Sequence, residues 1–171
     1  MKYIEYQTNA QRTCPSLGMK MDLCHMVMGI HSESNELFQA GRALDIVNIG
    51  EEIADKIWYF SNYCSIRGYS LQEIFEKPMN NIFSEEYNSS QLTDIVKKYV
   101  IYNKKIDKDE EYHLLVKLAY NYLDMFAAHN LDIFKALNNN IDKLRIRFPE
   151  KFIQQLANNR DLISERAELE K

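Results

Sequence analysis

Only five glycines and three prolines occur in 171 residues, and no other feature restricts the possible folds as much. A β-rich chain needs a turn signal about every 8–12 residues, and glycine and proline supply most of them. So few interruptions favour long helices with short connections, and the chain is expected to be all-α. A hydrophobic content of 46%, with 12% aromatic residues, is enough for a real core, and the length suits one domain, residues 1–171.

Periodicity and stop signals place the elements. A first helix is predicted over about 3–13, ended near Cys14-Pro15 because the residue before a proline is pushed out of the α region. A second covers about 18–40, with Met19, Leu23, Met26, Val27, Ile30 and Leu37 at helical spacing and Gly41 as the C-terminal breaker. A third, about 48–67, buries Ile49, Ile53, Ile57, Phe60 and Cys64 and ends at Gly68. Ser70-x-x-Glu73 has the pattern of a capping box and starts a further short helix. From Lys77-Pro78 to Ser90 the chain is polar and rich in turn residues, and reads as a loop or mobile segment. Helices resume over about 91–103, 109–128 and 131–147. Pro149 closes the last of them, and the charged tail of about 158–171 reads as a fraying helix.

A formal charge of −4 argues against a general nucleic-acid binder, since the basic pairs Lys97-Lys98 and Lys104-Lys105 are short enough to be solvated surface. No apolar run approaches the length of a membrane span, and the first residues lack a signal-peptide core, so a cytoplasmic protein is expected. Cys14, Cys24 and Cys64 are odd in number and lack C-x-x-C spacing, which fits reduced thiols rather than a zinc site.

The chemistry is concentrated in two acidic pairs on consecutive helices, Glu33-x-x-Glu36 and Glu52-x-x-Asp55. Residues three apart on a helix lie on nearly one face, so each pair aims two carboxylates at one point. A single such pair is ordinarily solvated surface. Two pairs bordering apolar stripes on neighbouring helices form a four-carboxylate cradle that makes sense mainly around a hard divalent cation such as Mg²⁺. On the third helix Glu52, Asp55, Tyr59 and Asn62 continue as a polar stripe.

The residues around these pairs carry a resemblance. Tyr6-Gln7 and Arg12-Thr13, then Gly29-Ile30-His31-Ser32-Glu33-Ser34-Asn35-Glu36-Leu37, then Glu51-Glu52-Ile53-Ala54-Asp55-Lys56-Ile57-Trp58-Tyr59, and finally Asn140-Ile141-Asp142-Lys143-Leu144 through Arg147 to Phe152 resemble the successive signatures of MazG-like nucleotide pyrophosphohydrolases. The resemblance covers about residues 3–75 and 131–152. It implies an all-α bundle of the NTP pyrophosphatase type. It also implies Mg²⁺-dependent hydrolysis of a (deoxy)nucleoside triphosphate to monophosphate and pyrophosphate, with Mn²⁺ as a possible substitute metal. Glu33, Glu36, Glu52 and Asp55 would be the metal ligands, with Glu36 or Glu52 as the base that takes a proton from water. Asn140, Lys143 and Arg147, on one helical face, would bind the phosphates. They also suit a basic helix end interacting with its own dipole. Lys56 either approaches the acids or points outward, and Tyr59 and Asn62 either contact sugar or base or pack between helices. Relatives commonly build the site from more than one subunit, so a homo-oligomer, dimer or tetramer, is implied. Residues of about 77–130 depart from the compact family pattern. This helical insertion would replace a partner's helices or cover the nucleotide as a lid.

Other readings remain open on the residues alone. A di-iron carboxylate protein would use Glu110-x-x-His113 and a poorer Asp22-x-x-His25, but lacks a second proper pair. Met19, Met21, Met26 and Met28 near Cys24, His25 and His31 suit adaptable core better than soft-metal ligation. A non-catalytic protein that sequesters nucleotide on the same scaffold would share every one of the proposed ligands.

Overall fold

The computed structural model describes residues 1–171 and is built of helices without strands: α1 (Tyr3–Arg12), α2 (Met19–Ala43), α3 (Ile46–Arg67), α4 (Leu71–Glu76), α5 (Glu85–Tyr102), α6 (Lys108–Ala128), α7 (Ile133–Arg147), α8 (Gln154–Asn158) and α9 (Leu162–Leu169). None is long and apolar enough to cross a membrane. The side-chain oxygens of Asp45, Ser70, Ser84, Asp107, Asp132 and Asp161 accept hydrogen bonds from first-turn amides of the helices that follow them. Such caps typically contribute about 1 kcal/mol each, and they account for where most of the helices start.

The longest helices, α2 and α3, pack extensively against each other and form the spine of the molecule. α1 lies against α3, α4 and α7, while α5 packs on α2 and α6 on α3, α4 and α5. One continuous core joins them, with Leu23, Met26, Ile30, Ile53, Ile57, Phe60, Leu115 and Tyr122 among its residues. The apolar stripe expected on the third helix is buried throughout. On α2 the buried stripe begins at Leu23, while Met19, on the first turn, stays half exposed.

Three boundaries differ from expectation. Gly41 does not end α2. A glycine within a helix is tolerated at about 1 kcal/mol, and the turn comes at Leu44, which takes the left-handed conformation (φ 56°). Residues 85–90, expected as loop, are the first turns of α5, because Ser84 caps Tyr87 and Asn88 and Ser89 are buried against the bundle. The tail does not fray. α9 packs on α7, and the Glu165 carboxylate is buried there.

The insertion is a pair of helices whose polar anchors lie inside the bundle. Glu111 on α6 is fully buried and accepts hydrogen bonds from Tyr63, Tyr69 and both Nε and Nη2 of Arg67, at 2.6–2.9 Å. Asn88 on α5 donates to Asn121 on α6 at 2.8 Å.

Candidate functional site

A cavity of about 510 Å³ opens beside the acidic pairs, within the usual size range of small-molecule sites. Glu33 and Glu36 from α2 and Glu51, Glu52 and Asp55 from α3 line it. Carboxylate oxygens of Glu33, Glu36 and Glu52 all lie within 4.8 Å of one another, close enough to share one cation. Glu33 and Glu52 are buried and Glu36 is exposed. This arrangement follows from helix geometry: both buried acids sit at the edge of an apolar stripe, so packing α2 on α3 carries them under cover together.

Burial and the surrounding negative charge raise both buried carboxyls. Glu33 is pushed up to about 7 by burial first and then by Asp55 and Glu36. Glu52 is pushed up to about 9 by burial and then by Asp55, Glu51, Glu36 and Glu33. Each thus holds a proton in the folded chain at a pH where the unfolded chain, with carboxyls near 4.5, has lost it. Proton uptake that favours the native state makes stability fall as pH rises. Without divalent cations, Tm is therefore expected to decline from pH 5 through pH 7 and on to about pH 9. Added Mg²⁺ is expected to raise Tm more at pH 8 than at pH 6, read by thermal melts; equal Mg²⁺ effects at both values would contradict the linkage.

Asp55 lies next to the group but is held from behind. Its Oδ1 accepts from Asn140 Nδ2 at 2.5 Å and its Oδ2 from Lys143 Nζ at 2.6 Å, and Lys143 also reaches Glu51 at 3.0 Å. Tyr6 donates to Asn140 Oδ1 at 2.9 Å and so closes the relay. Asn140 and Lys143 are fully buried. Burial opposes the Lys143 charge, but Asp55 and Glu51 outweigh it and keep the ammonium protonated. These two residues were expected to meet phosphates. They lie behind the carboxylates instead, because the face of α7 that carries them packs against α3, and they position Asp55 and Glu51.

Of the three closing-motif residues only Arg147 lines the cavity. Lys56 does not approach the acids and does not point outward. It turns into the bundle, is 1% exposed, and pairs with Glu85 of the insertion at 2.9 Å and with the Ser34 hydroxyl. One helical position after Asp55 is about 100° further round the helix, which aims Lys56 at α5 rather than at the cavity. Asn62 is also buried and donates to the Trp58 carbonyl at 2.9 Å, away from the cavity. Tyr59 does line it. Its ring lies against Gly29, where an added Cβ would come within 2.2 Å of ring carbons. Glycine at this position lets α2 and the Tyr59 ring meet.

The cavity also has an aromatic lining. Trp58, Tyr59, Phe148 and Phe152 line the cavity, with His25 and Gln154 among its polar groups. Trp58 donates to Thr13 at 3.0 Å and stands edge-on to Tyr59, with ring centroids 4.9 Å apart. The sequence signal for this wall lay partly in Arg12, whose guanidinium donates to the Phe148 and Glu150 carbonyls at 2.6 and 2.8 Å and pins the segment after α7. Arg160, placed in the charged tail by composition alone, also lines the cavity. No residue of 77–130 lines it.

The residues of the alternative metal sets do not converge on one point. His113 Nδ1 is 2.7 Å from the Asp109 carbonyl on its own helix, and Asp22 accepts from the Leu17 amide at 2.6 Å. Met21 and Met28 face outward while Met26 is buried. Comparison of the chain with family models, curated proteins and solved structures finds no match.

Proposed function

We propose that this chain is a MazG-like, Mg²⁺-dependent pyrophosphohydrolase that splits a (deoxy)nucleoside triphosphate into monophosphate and pyrophosphate. The observation that carries the reading is the convergence of Glu33, Glu36 and Glu52 within 4.8 Å in one cavity with Arg147 and an aromatic wall. The donors converging there are carboxylate oxygens, the set preferred by hard cations such as Mg²⁺ or Mn²⁺. Two of them are raised by burial and by the neighbouring carboxylates, and a cation would offset both effects. Glu33, Glu36, Glu52 and Asp55 would hold it. When bound, Mg²⁺ supplies counter-charge for a triphosphate and makes a coordinated water a better nucleophile.

The chain's own residues account for the rest. Glu36 or Glu52 takes the proton of the attacking water, the new oxygen–phosphorus bond forms, and the α–β anhydride bond breaks to release pyrophosphate. Lys143 and Asn140 hold Asp55 in orientation. Arg147 meets phosphate charge at the cavity edge, and Trp58, Tyr59, Phe148 and Phe152 exclude water around the base. The insertion helices pack on α2 and α3 and would take the place of a second subunit's helices there. A cytoplasmic setting and a dimer or tetramer complete the proposal.

The test is a panel of (deoxy)nucleoside triphosphates with Mg²⁺, scored for monophosphate and pyrophosphate by chromatography. Turnover of at least one member is expected. Stoichiometric binding without pyrophosphate release would instead identify a sequestering protein.

A further inference from the structure

Two arginines beside the cavity share a single carboxylate. Arg147, on the last turn of α7, gives Nε and Nη2 to Glu165 Oε1 and Oε2 at 3.0 and 2.5 Å. Arg160, between α8 and α9, gives Nε and Nη2 to Oε2 at 3.2 and 2.8 Å. Glu165 is 2% exposed. Burial opposes its charge, but the hydrogen bonds from Arg147 and Arg160 outweigh that and hold its carboxyl below the usual range. Both arginines line the main cavity, and Arg160 and Glu165 border a smaller adjoining one together with Glu36, Glu51 and Glu52.

Charge makes this arrangement unusual for a purely structural ion pair. Five carboxylates already line the cavity, and Glu165 places a sixth alongside, directly on the only two arginines that face it. A guanidinium fork offers a carboxylate the same parallel donors that it offers a phosphate. The helix that delivers Glu165 is short, and two of its eight residues, Leu162 and Ile163, point their apolar side chains into solvent. Besides packing on α7 and more lightly on α3, it is anchored by a half-exposed pair between Arg166 and Asp45 at 3.1 Å and an Asn139 bond to the Leu169 carbonyl. Exposed pairs of that kind hold weakly. A group carrying several negative charges and aided by a cation has the means to displace one carboxylate from such a helix.

We propose that Arg147 and Arg160 together bind a phosphate or pyrophosphate group, and that the Glu165 carboxylate competes with that group for the same donors. α9 is thus an internal competitor that phosphates displace. The inference rests on the phosphate reading of the cavity, and adds to it a second arginine and a built-in check on anion affinity.

Titration of inorganic pyrophosphate into the full-length protein in Mg²⁺ buffer, read by calorimetry, tests this without requiring turnover. Glu165→Gln is expected to bind pyrophosphate about tenfold more tightly than the wild type, and Arg160→Gln about tenfold more weakly. Because Glu165→Gln leaves two arginines without their carboxylate and so puts folding at risk, Arg166→Ala provides a second route. It loosens α9 without touching either arginine and is expected to shift affinity in the same direction as Glu165→Gln. Unchanged or weaker binding in Arg166→Ala and in folded Glu165→Gln overturns the competition, as does the absence of measurable binding in every form. Failure of the wild type to hydrolyse any triphosphate, with Glu165→Gln still tightening on pyrophosphate, removes the hydrolytic reading and leaves the anion pair standing.

Discussion

Glu52→Gln is expected to reduce triphosphate turnover by about 10²–10⁴-fold, the usual contribution of a positioned acid–base group, while raising the stability of the metal-free protein. The two effects have one cause. Glu52 is a buried carboxyl among Asp55, Glu51, Glu36 and Glu33, and its value is pushed up to about 9. The amide keeps the shape and removes a charge that the fold must otherwise neutralise with a proton or a cation. In the absence of divalent ions the variant's Tm is therefore expected to exceed the wild type's at pH 8 by a few degrees, at about 2–4 °C per kcal/mol for a chain of this size. Its decline with pH should also be shallower. Product analysis and thermal melts on the same preparation check both. Wild-type turnover in Glu52→Gln sinks the assignment of this residue, and a lower metal-free Tm would contradict the charge argument.

The second large effect concerns Lys56, which the sequence left between approaching the acids and pointing outward. Lys56→Met is expected to destabilise the fold by about 3–5 kcal/mol, the usual result of leaving one partner of a buried ion pair alone. That corresponds to a Tm loss of about 6–20 °C. Glu85, the stranded partner, is 3% exposed, and its Oε1 already lacks a hydrogen-bond partner. Replacing both charges, as Lys56→Met with Glu85→Leu, is expected to recover most of the loss, because buried pairs often exchange for apolar packing at little net cost. Urea denaturation of the single and double variants measures this. In the fraction that stays folded, KM for the best triphosphate should match the wild type. A raised KM without loss of stability would return Lys56 to the substrate.

The acidic pairs and the helical class were legible because they depend on local spacing. Period and few interruptions determine helices, and a three-residue separation determines which carboxylates share a face. Lys143 and Lys56 show where that kind of inference stops. Both are lysines near acids on amphipathic helices, and both are fully buried, yet one holds Asp55 and the other holds the insertion. Helix spacing gives the angle of a side chain about its own axis but says nothing about which neighbour occupies that direction. The tail was misread for a related reason. Its composition is that of solvated helix, and only docking of α9 onto α7 buries Glu165 between two arginines.

By itself, then, the sequence determined an all-α chain, the approximate extent of α1 to α7 apart from the first turns of α5, and the four carboxylates that must be considered together, since each follows from interactions within a few residues. Tertiary structure alone decided that three of those carboxylates converge while Asp55 is held by Asn140 and Lys143. It also decided that Phe148 and Phe152, from the segment after α7, join Trp58 and Tyr59 of α3 in lining the cavity and that the insertion packs into the core. These outcomes rest on contacts between residues about 20 to 130 positions apart, with partners selected by the packing of whole helices, and no local pattern encodes that choice.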